Sequence, residues 1–194
     1  MNYLSCNEIE SLKRGIRKEV EQDIKKGHQS RHRNGLWLID FIDWQRYSGM
    51  RISETLNLTP KFINTETWQV TIGSDRFSTK VESKQVLPIG EVEVLKKIAQ
   101  KLIRQCQSSD ELLFQHKDRR RTTKTFKRYV NLSMPAREDV NVHSLRHICC
   151  SELLRKEVPI YTVQRWMRHS TIRTTQKYAE LFGCGYFKGG WRSI

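Results

Sequence analysis

The chain opens with apolar residues at helical spacing behind a helix-start signal. Ser5 to Glu8 has the form of a capping box, in which a serine side chain and a glutamate three residues later bond to the backbone of a helix's first turn. The apolar positions that follow, three or four residues apart, are Ile9, Leu12, Ile16 and Val20. This pattern predicts a helix that runs to about Lys26 and ends at Gly27.

Helical patterns continue through most of the chain. The stretch from Gly35 to Tyr47 is too apolar for a surface loop and predicts a second helix. Ser48 and Gly49 then turn the chain into a short helix whose inward-facing residues are Ile52, Leu56 and Leu58. Further helices are predicted from after Gly90 to about Gln107, from about Thr122 to Leu132, and over three later segments, one of which has Pro159 in its first turn and ends near Arg168.

Between residues 68 and 89 the apolar pattern changes from helical to alternating. The alternation from Trp68 to Ile72 predicts a first strand, and Gly73 to Asp75 is a turn signal. A second strand is predicted from Arg76 to Lys80, and a third from Gln85 to Ile89. The fold class predicted is therefore α+β, mostly helical with a small three-stranded antiparallel sheet. We expect one domain over residues 1–194, because this length suits a single core.

The charge balance points to a polyanionic partner. A formal net charge of +14 and a pI near 9.8 exceed what solubility requires, and nucleic acid is the leading candidate. A membrane surface is the alternative for a basic chain, but the longest apolar stretch, Leu36 to Ile42, is short and interrupted by Asp40. No transmembrane span or secretory signal is visible, so we expect no membrane partner.

The cysteines give no sign of a disulfide framework or a zinc site. Their number is odd, and no Cys-x-x-Cys pair occurs among Cys6, Cys106, Cys149, Cys150 and Cys184. A reduced, cytoplasmic protein associated with the nucleoid is expected, with Cys149 and Cys150 as small, buried helix residues.

The residue types near the C-terminus suit attack on a phosphodiester. His143-Ser144-Leu145-Arg146 is followed by Met167-Arg168-His169 and then by Tyr178. A side-chain oxygen attacks phosphorus only where cations neutralise the non-bridging oxygens and other groups move protons. These residues supply both needs without a metal, and we expect no cofactor. His143 and His147 could instead be two metal ligands, but no glutamate lies between them and no third ligand is obvious.

Together with upstream residues, this set resembles the tyrosine recombinase (phage integrase) family, and in its length the fimbrial inversion recombinases. Ser48 to Glu54 is similar to the family's first box, with Glu54 as the acidic neighbour of its arginine. The six matching catalytic positions, in chain order, are Arg51, Lys80, His143, Arg146, His169 and Tyr178. The resemblance implies the family's catalytic fold and a DNA recombinase that cleaves and rejoins strands through a 3′-phosphotyrosyl intermediate.

The resemblance also implies a role for each matching residue. Arg51 and Arg146 are expected to hold the two non-bridging oxygens, for which a guanidinium fork suits better than an ammonium. His143 fits a general base toward the phenol, and His169 a hydrogen-bond donor to a phosphoryl oxygen. Lys80 is expected to protonate the departing 5′ oxygen.

The block from Lys117 to Arg128 is strongly basic. Such a run is usually a solvated face, but the resemblance places a helix here that docks into the DNA major groove. The candidate DNA contacts are Arg119, Arg120, Arg121, Lys124, Lys127 and Arg128. The segment from Ser30 to Arg33 is a weaker candidate for backbone contact.

The chain departs from the family's usual pattern at two places. Arg168 stands where the family commonly has a small residue, which could alter helix docking or add a phosphate contact. The first box begins at Ser48, which leaves no room for the separate N-terminal DNA-binding domain that most members carry. We therefore expect a catalytic domain alone, either a naturally short recombinase or an excised domain.

The expected partners are double-stranded DNA, further copies of the chain in a dimer or tetramer on DNA, and DNA-bending accessory proteins. Two other functions stay open at this point. One is a non-catalytic DNA-binding regulator with the same fold, and the other is a nicking-closing enzyme similar to type IB topoisomerases.

Overall fold

The first two helices pack against each other and begin the core. In the computed structural model, which describes residues 4–73, 84–114 and 118–181, α1 spans Cys6–Lys25 and α2 spans Gln29–Ser48. Ser5 forms the predicted capping box, since its hydroxyl accepts from the Glu8 amide at 3.2 Å and the Glu8 carboxylate accepts from the Ser5 amide at 2.7 Å. The four predicted apolar residues of α1 are all buried.

Helix α2 begins earlier than the sequence pattern indicated. It starts at Gln29 instead of Gly35, a difference of six residues. The intervening residues are polar and give no apolar periodicity, yet none of them is a strong helix breaker, so the helix extends through them. The side chains of residues 29–34, including the predicted weaker DNA-contact segment, lie outside the described part of the structure.

A glycine turn connects α2 to the short helix α3, which spans Ile52–Leu56. Gly49 ends α2 with φ +58°, and a Cβ on this residue would lie 2.7 Å from Met167 Sδ. Both the left-handed backbone and the close approach therefore favour glycine. Leu56 and Leu58 are buried as predicted, and Ile52 is half-buried.

The predicted three-stranded antiparallel sheet is present, with a different set of strands. Its order is β1 (Ile63–Asn64), β2 (Gln69–Ile72) and β3 (Gln85–Pro88). Strand β1 was missed because two residues are too few to show alternation. The predicted strand from Arg76 to Lys80 lies outside the described residues, and β2 pairs directly with β3.

The remaining helices of the described chain are α4 (Glu93–Gln105), α5 (Arg119–Ser133), α6 (Val142–Arg155), α7 (Ile160–Met167) and α8 (Ile172–Leu181). All five confirm predicted helices. Helix α5 begins three residues before the predicted Thr122, because the Asp118 side chain accepts from the Arg120 amide at 2.7 Å and caps its start. Pro159 is the N-cap of α7 and so lies just before its first turn.

The core has a main part and a smaller part that carries the site. In the main part, the fully buried rings of Phe41 and Trp44 on α2 meet Phe114 edge-on, with ring centroids 5.7 and 6.0 Å apart. The smaller cluster joins α6, α7 and α8 and includes Cys149, Cys150 and Tyr178, so the prediction that both cysteines are buried is confirmed. Within the described residues, no helix has the length and apolarity that crossing a membrane requires.

Candidate active site

Arg146 is buried between two turns that come from distant parts of the sequence. It lies on α6, whose N-terminus is capped by Asn141. Its side chain donates through Nη1 to the carbonyl of Gly49 and through Nη2 to the carbonyl of Met167, and the residue is only 4% exposed. Burial, followed by the charges of Arg168 and Arg51, lowers the pKa of Arg146 to about 10, so it remains a cation at neutral pH.

Arg51 lies at the N-cap of α3 and is half-buried. Its side chain is 42% exposed, and Nη1 donates to Glu54 Oε1 at 2.7 Å. Its Nη2 approaches the carbonyl of Arg168 at 3.5 Å. Burial alone would raise the pKa of Glu54, but the charge of Arg168 and the hydrogen bonds from Arg51 lower it below its usual value. Glu54 is therefore an anion that fixes the cations around it.

Tyr178 reaches the site from α8 and contacts a histidine of α6. The residue is 5% exposed, and its hydroxyl is hydrogen-bonded to Nδ1 of His147. On its other side, the ring of His169 is stacked on the phenol ring with centroids 6.0 Å apart. His169 is oriented by a hydrogen bond between its Nδ1 and Thr175 Oγ1 at 2.9 Å.

His147 is the functional candidate that sequence reasoning missed, since it was weighed only as a metal ligand. His143 lies one helical turn before it, and the two rings meet edge-on with centroids 4.7 Å apart. Residues four apart share a helix face, so the sequence did contain a signal that both imidazoles point toward the same place. The contact to the phenol that the structure shows is made by His147.

The imidazoles of the site are neutral at neutral pH. Burial is the largest cause that lowers the pKa of His147 and of His169 to about 4 each, followed by His143 and Arg146 for His147 and by Arg146, Arg51 and Arg168 for His169. The pKa of His143 is lowered as well, by partial burial and then by Arg146, Arg51 and Arg119. Burial is the largest cause, and the positive charge around the rings adds to it, a contribution that an anionic ligand would offset.

The side chain of Arg168 points into the protein. This differs from the expectation that Arg168 adds a phosphate contact, one of the two that the sequence offered. Its side chain is 3% exposed and donates through Nη2 to Glu54 Oε2 at 2.8 Å. Its backbone is left-handed, with φ +53°, at the C-cap of α7. Glycine suits this conformation best, which gives a physical reason for the small residue that is common at this position.

Lys80, the remaining predicted catalytic residue, lies outside the described residues. The other five predicted residues lie on segments that contact one another through hydrogen bonds and ring contacts. Arg51 and Arg168 both contact the carboxylate of Glu54, and the charge of Arg146 is close enough to interact with it. Such an excess of cations suits a phosphodiester. Among the described residues, no group of three or more metal-ligating side chains is positioned to hold a metal ion.

The predicted DNA-contact residues lie on or beside one open groove along α5, with a volume of about 970 Å³. All of these residues except Lys127 are exposed. Three of the six have partners within the protein: Arg121 pairs with Asp118 at 4.0 Å, Arg128 pairs with Glu19, and Lys127 donates to the carbonyl of Glu138. Lys117, the first residue of the basic block, lies outside the described part of the chain.

Sequence comparisons match this chain to one family. Residues 15–183 match the phage integrase family. A probable integrase/recombinase protein of Methanocaldococcus jannaschii is 31% identical over 170 residues, which cover 82% of this chain and 49% of the relative. The TnP I resolvase of Bacillus thuringiensis is 31% identical over 169 residues, which cover 82% of this chain and 55% of the relative. The chain thus spans about half the length of these curated relatives.

Solved structures share the fold. The XerA recombinase superposes with a TM-score of 0.65 at 18% identity, covering 91% of this chain and 59% of that one. The Tn1549 transposon integrase in complex with transposon right end DNA gives a TM-score of 0.68 at 18% identity, over 91% and 60% of the two chains. The XerH recombinase bound to its palindromic difH substrate gives a TM-score of 0.63 at 23% identity, over 93% of this chain and 50% of that one.

Proposed function

The chain belongs to the phage integrase family, and from this premise we propose that it is a site-specific DNA recombinase that cleaves and rejoins strands through a 3′-phosphotyrosyl intermediate. The observation that carries the proposal is the placement of the Tyr178 hydroxyl. It is hydrogen-bonded to His147, next to His169, and the segments that contribute the Arg51 and Arg146 cations meet at the same place. We further propose that the helices and the sheet form one catalytic domain.

The two arginines have different parts in this mechanism. The Arg51 side chain is 42% exposed, so we assign it direct contact with a non-bridging oxygen. Arg146 is buried and bonded to two backbone carbonyls. It contributes positive charge to the phosphate site and also links the turn at Gly49 to the turn that follows Met167. Both effects favour the additional negative charge of the transition state.

The proton of the phenol passes to His147 in this proposal. A free phenol has a pKa of about 10 and attacks poorly unless a base takes its proton. When the Tyr178 hydroxyl donates to Nδ1 of His147, the neutral imidazole is already aligned as the acceptor. A bound phosphodiester adds negative charge beside the ring and raises the pKa of His147 from about 4, which makes it a stronger base in the DNA complex.

The chemical step then exchanges one phosphoester for another. The Tyr178 oxygen forms a bond to phosphorus, the bond from phosphorus to the 5′ oxygen breaks, and that oxygen takes a proton from Lys80, the acid that the family resemblance implies. If the Thr175 hydroxyl donates to Nδ1 of His169, the ring proton lies on Nε2 and donates to a phosphoryl oxygen. The phosphotyrosyl bond retains the energy for rejoining by a second 5′ hydroxyl.

We propose double-stranded DNA as the substrate, bound along the basic face of α5. The exposed cations of α5 and the groove beside them support this assignment, as do the DNA complexes of the Tn1549 and XerH enzymes. A palindromic substrate such as that of XerH offers two equivalent half-sites, so we further propose that copies of this chain associate on DNA. We also propose that the DNA belongs to a mobile element and that DNA-bending accessory proteins take part.

The test is covalent capture of DNA. A duplex nicked beside the scissile phosphate releases the short 5′-hydroxyl product after cleavage, which traps the phosphotyrosyl adduct for a denaturing gel. Adduct formation that requires Tyr178 supports the proposed function. Specific DNA binding with no adduct would instead favour the non-catalytic regulator. An adduct formed on any sequence, with supercoil relaxation and no exchange between two duplexes, would favour the type IB topoisomerase-like activity.

A further inference from the structure

Arg168 adopts an unfavourable backbone conformation in order to place a buried cation on Glu54. Its φ of +53° lies in the left-handed region that residues with a Cβ rarely adopt. The side chain nevertheless extends into the protein, where Nη1 donates to the carbonyl of Trp166 at 3.0 Å and Nη2 to Glu54 Oε2 at 2.8 Å. Both ends of the guanidinium are therefore fixed.

Glu54 connects this buried cation to the exposed one. Its Oε2 accepts from Arg168 and from the Arg51 amide at 2.8 Å each, whereas Oε1 accepts from Arg51 Nη1 at 2.7 Å. The Arg168 backbone also contributes, since its carbonyl lies 3.5 Å from Arg51 Nη2. Arg168 therefore acts on both terminal nitrogens of Arg51. It fixes the carboxylate that binds Nη1, and its own carbonyl lies near Nη2.

We propose that Arg168 is a positioning residue for the phosphate-binding arginine, and that it holds Glu54 so that Arg51 presents its guanidinium outward. The inference rests on the proposed function, since it assigns Arg51 to the phosphate. Without the Arg168 side chain, Oε2 of Glu54 loses its buried cation. The guanidinium of Arg51 can then rotate to take both carboxylate oxygens in a bidentate pair, which is the preferred geometry for this pair of groups. That rotation withdraws Arg51 from the DNA.

A double-mutant cycle separates positioning from general structural support. Arg168→Met removes the charge, Arg168→Gly also relieves the left-handed backbone and protects against a folding failure, and Arg168→Lys returns a cation. Each is measured with Arg51 present and with Arg51→Ala, as single-turnover cleavage of the nicked duplex and as DNA affinity. A residue that acts through Arg51 has no further effect once Arg51 is removed.

We expect Arg168→Met and Arg168→Gly to slow cleavage by about tenfold or more, the scale on which a misplaced catalytic group costs rate, with little change in DNA affinity. Arg168→Lys restores part of the rate. In the Arg51→Ala background the same substitutions change the rate less than about twofold. Equal losses in both backgrounds, or no loss in either, would overturn the proposal.

The matched control is Arg46→Met. Arg46 is also a buried arginine paired with a carboxylate, Glu152, at 2.8 Å. It belongs to a different part of the core, where it joins α2 to α6. Its removal lowers the melting temperature without a change in cleavage rate at temperatures where the protein is folded. A rate loss for Arg46→Met as large as that for Arg168→Met would assign both effects to stability and overturn the positioning role.

A measurement without catalysis keeps this proposal distinct from the proposed function. If the wild-type protein forms no adduct, the proposed function fails, and side-chain ¹⁵N NMR of Arg51 then decides the positioning role alone. We expect the Arg51 Nε–H signal to shift and broaden in Arg168→Gly and to recover in Arg168→Lys. An Arg51 signal identical in wild type and in Arg168→Gly would overturn the proposal.

Discussion

The hydroxyl of Tyr178 on α8 is hydrogen-bonded to Nδ1 of His147 on α6. The two rings lie with centroids 5.6 Å apart, and the residues are separated by 31 positions in the chain. This contact gives the phenol a neutral acceptor for its proton within an excess of positive charge. It leads to the first two predictions.

Tyr178→Phe should abolish the covalent adduct and leave DNA affinity almost unchanged, because only the attacking oxygen is removed. The measurement combines the nicked-duplex assay with a binding titration. Tyr161→Phe is the matched control, since Tyr161 is a 71% exposed tyrosine of α7 and should keep full activity. An adduct that survives in Tyr178→Phe would move the nucleophile to another tyrosine.

His147→Gln should slow cleavage by about a hundredfold or more, as expected when a general base is lost. His143→Gln, one turn earlier on the same face, tests the base that the sequence favoured. We expect His147→Gln to lose more cleavage rate than His143→Gln. We also expect the cleavage rate of His147→Gln no longer to fall at acidic pH. The reverse order would return the base to His143, as the family pattern implied.

Arg51→Ala and Arg146→Ala should each slow cleavage by about a hundredfold or more, because each removes a cation from the transition state. Their effects on folding should differ. Arg146 is 4% exposed, and Arg146→Ala leaves two backbone carbonyls without their donor. The Arg51 side chain is 42% exposed, and Arg51→Ala removes the donor to one oxygen of Glu54, whose other oxygen keeps Arg168 and a backbone amide. Thermal unfolding should therefore show a larger decrease for Arg146→Ala, and an equal decrease for Arg51→Ala would contradict this.

Acid should weaken the fold through two half-buried histidines, His147 and His169. The pKa of His147 and of His169 is about 4 in the folded protein and 6.5 in a solvated histidine. Between these values the unfolded chain binds more protons, so the free energy of unfolding falls as pH decreases from about 6.5 to about 4. Urea titrations across this range should show the decrease, and His147→Gln with His169→Gln should flatten it. An unchanged slope in the double variant would contradict the assignment.

The basic face of α5 should determine the salt dependence of DNA binding. Replacing Arg119, Arg120 or Lys124 with Gln should reduce the slope of log affinity against log salt by about 0.9 for each lost phosphate contact. Arg128→Gln should change the slope less, because Glu19 already offsets that charge. A residue that reads a base would instead narrow the gap between specific and scrambled duplexes by about 1–3 kcal/mol.

Unchanged affinity and slope in all of these variants would identify the face as ordinary solvated surface. Binding titrations at three salt concentrations, on specific and scrambled DNA, distinguish the outcomes.

The local features of this protein were determined by its sequence. The Ser5 capping box, the apolar stripe of α1 and the alternation of β2 each depend on residues a few positions apart, because helix hydrogen bonds and strand pleating are themselves local. The order of the arginine, histidine and tyrosine boxes was sufficient to indicate the family and the chemistry. It could not show which of two histidines on one helix face touches the phenol.

The tertiary structure decided the contacts between residues that are distant in the chain. From the sequence, Arg168 could be identified only as an unusual cation. Its hydrogen bond to Glu54 joins two residues that are 114 positions apart in the chain. Strand β1 exists because Ile63 and Asn64 pair with β2, although two residues carry no periodic signal of their own. The physical reason is the same in each case: periodicity reports which face of an element is buried, whereas the packing of one element on another selects the side chains that meet.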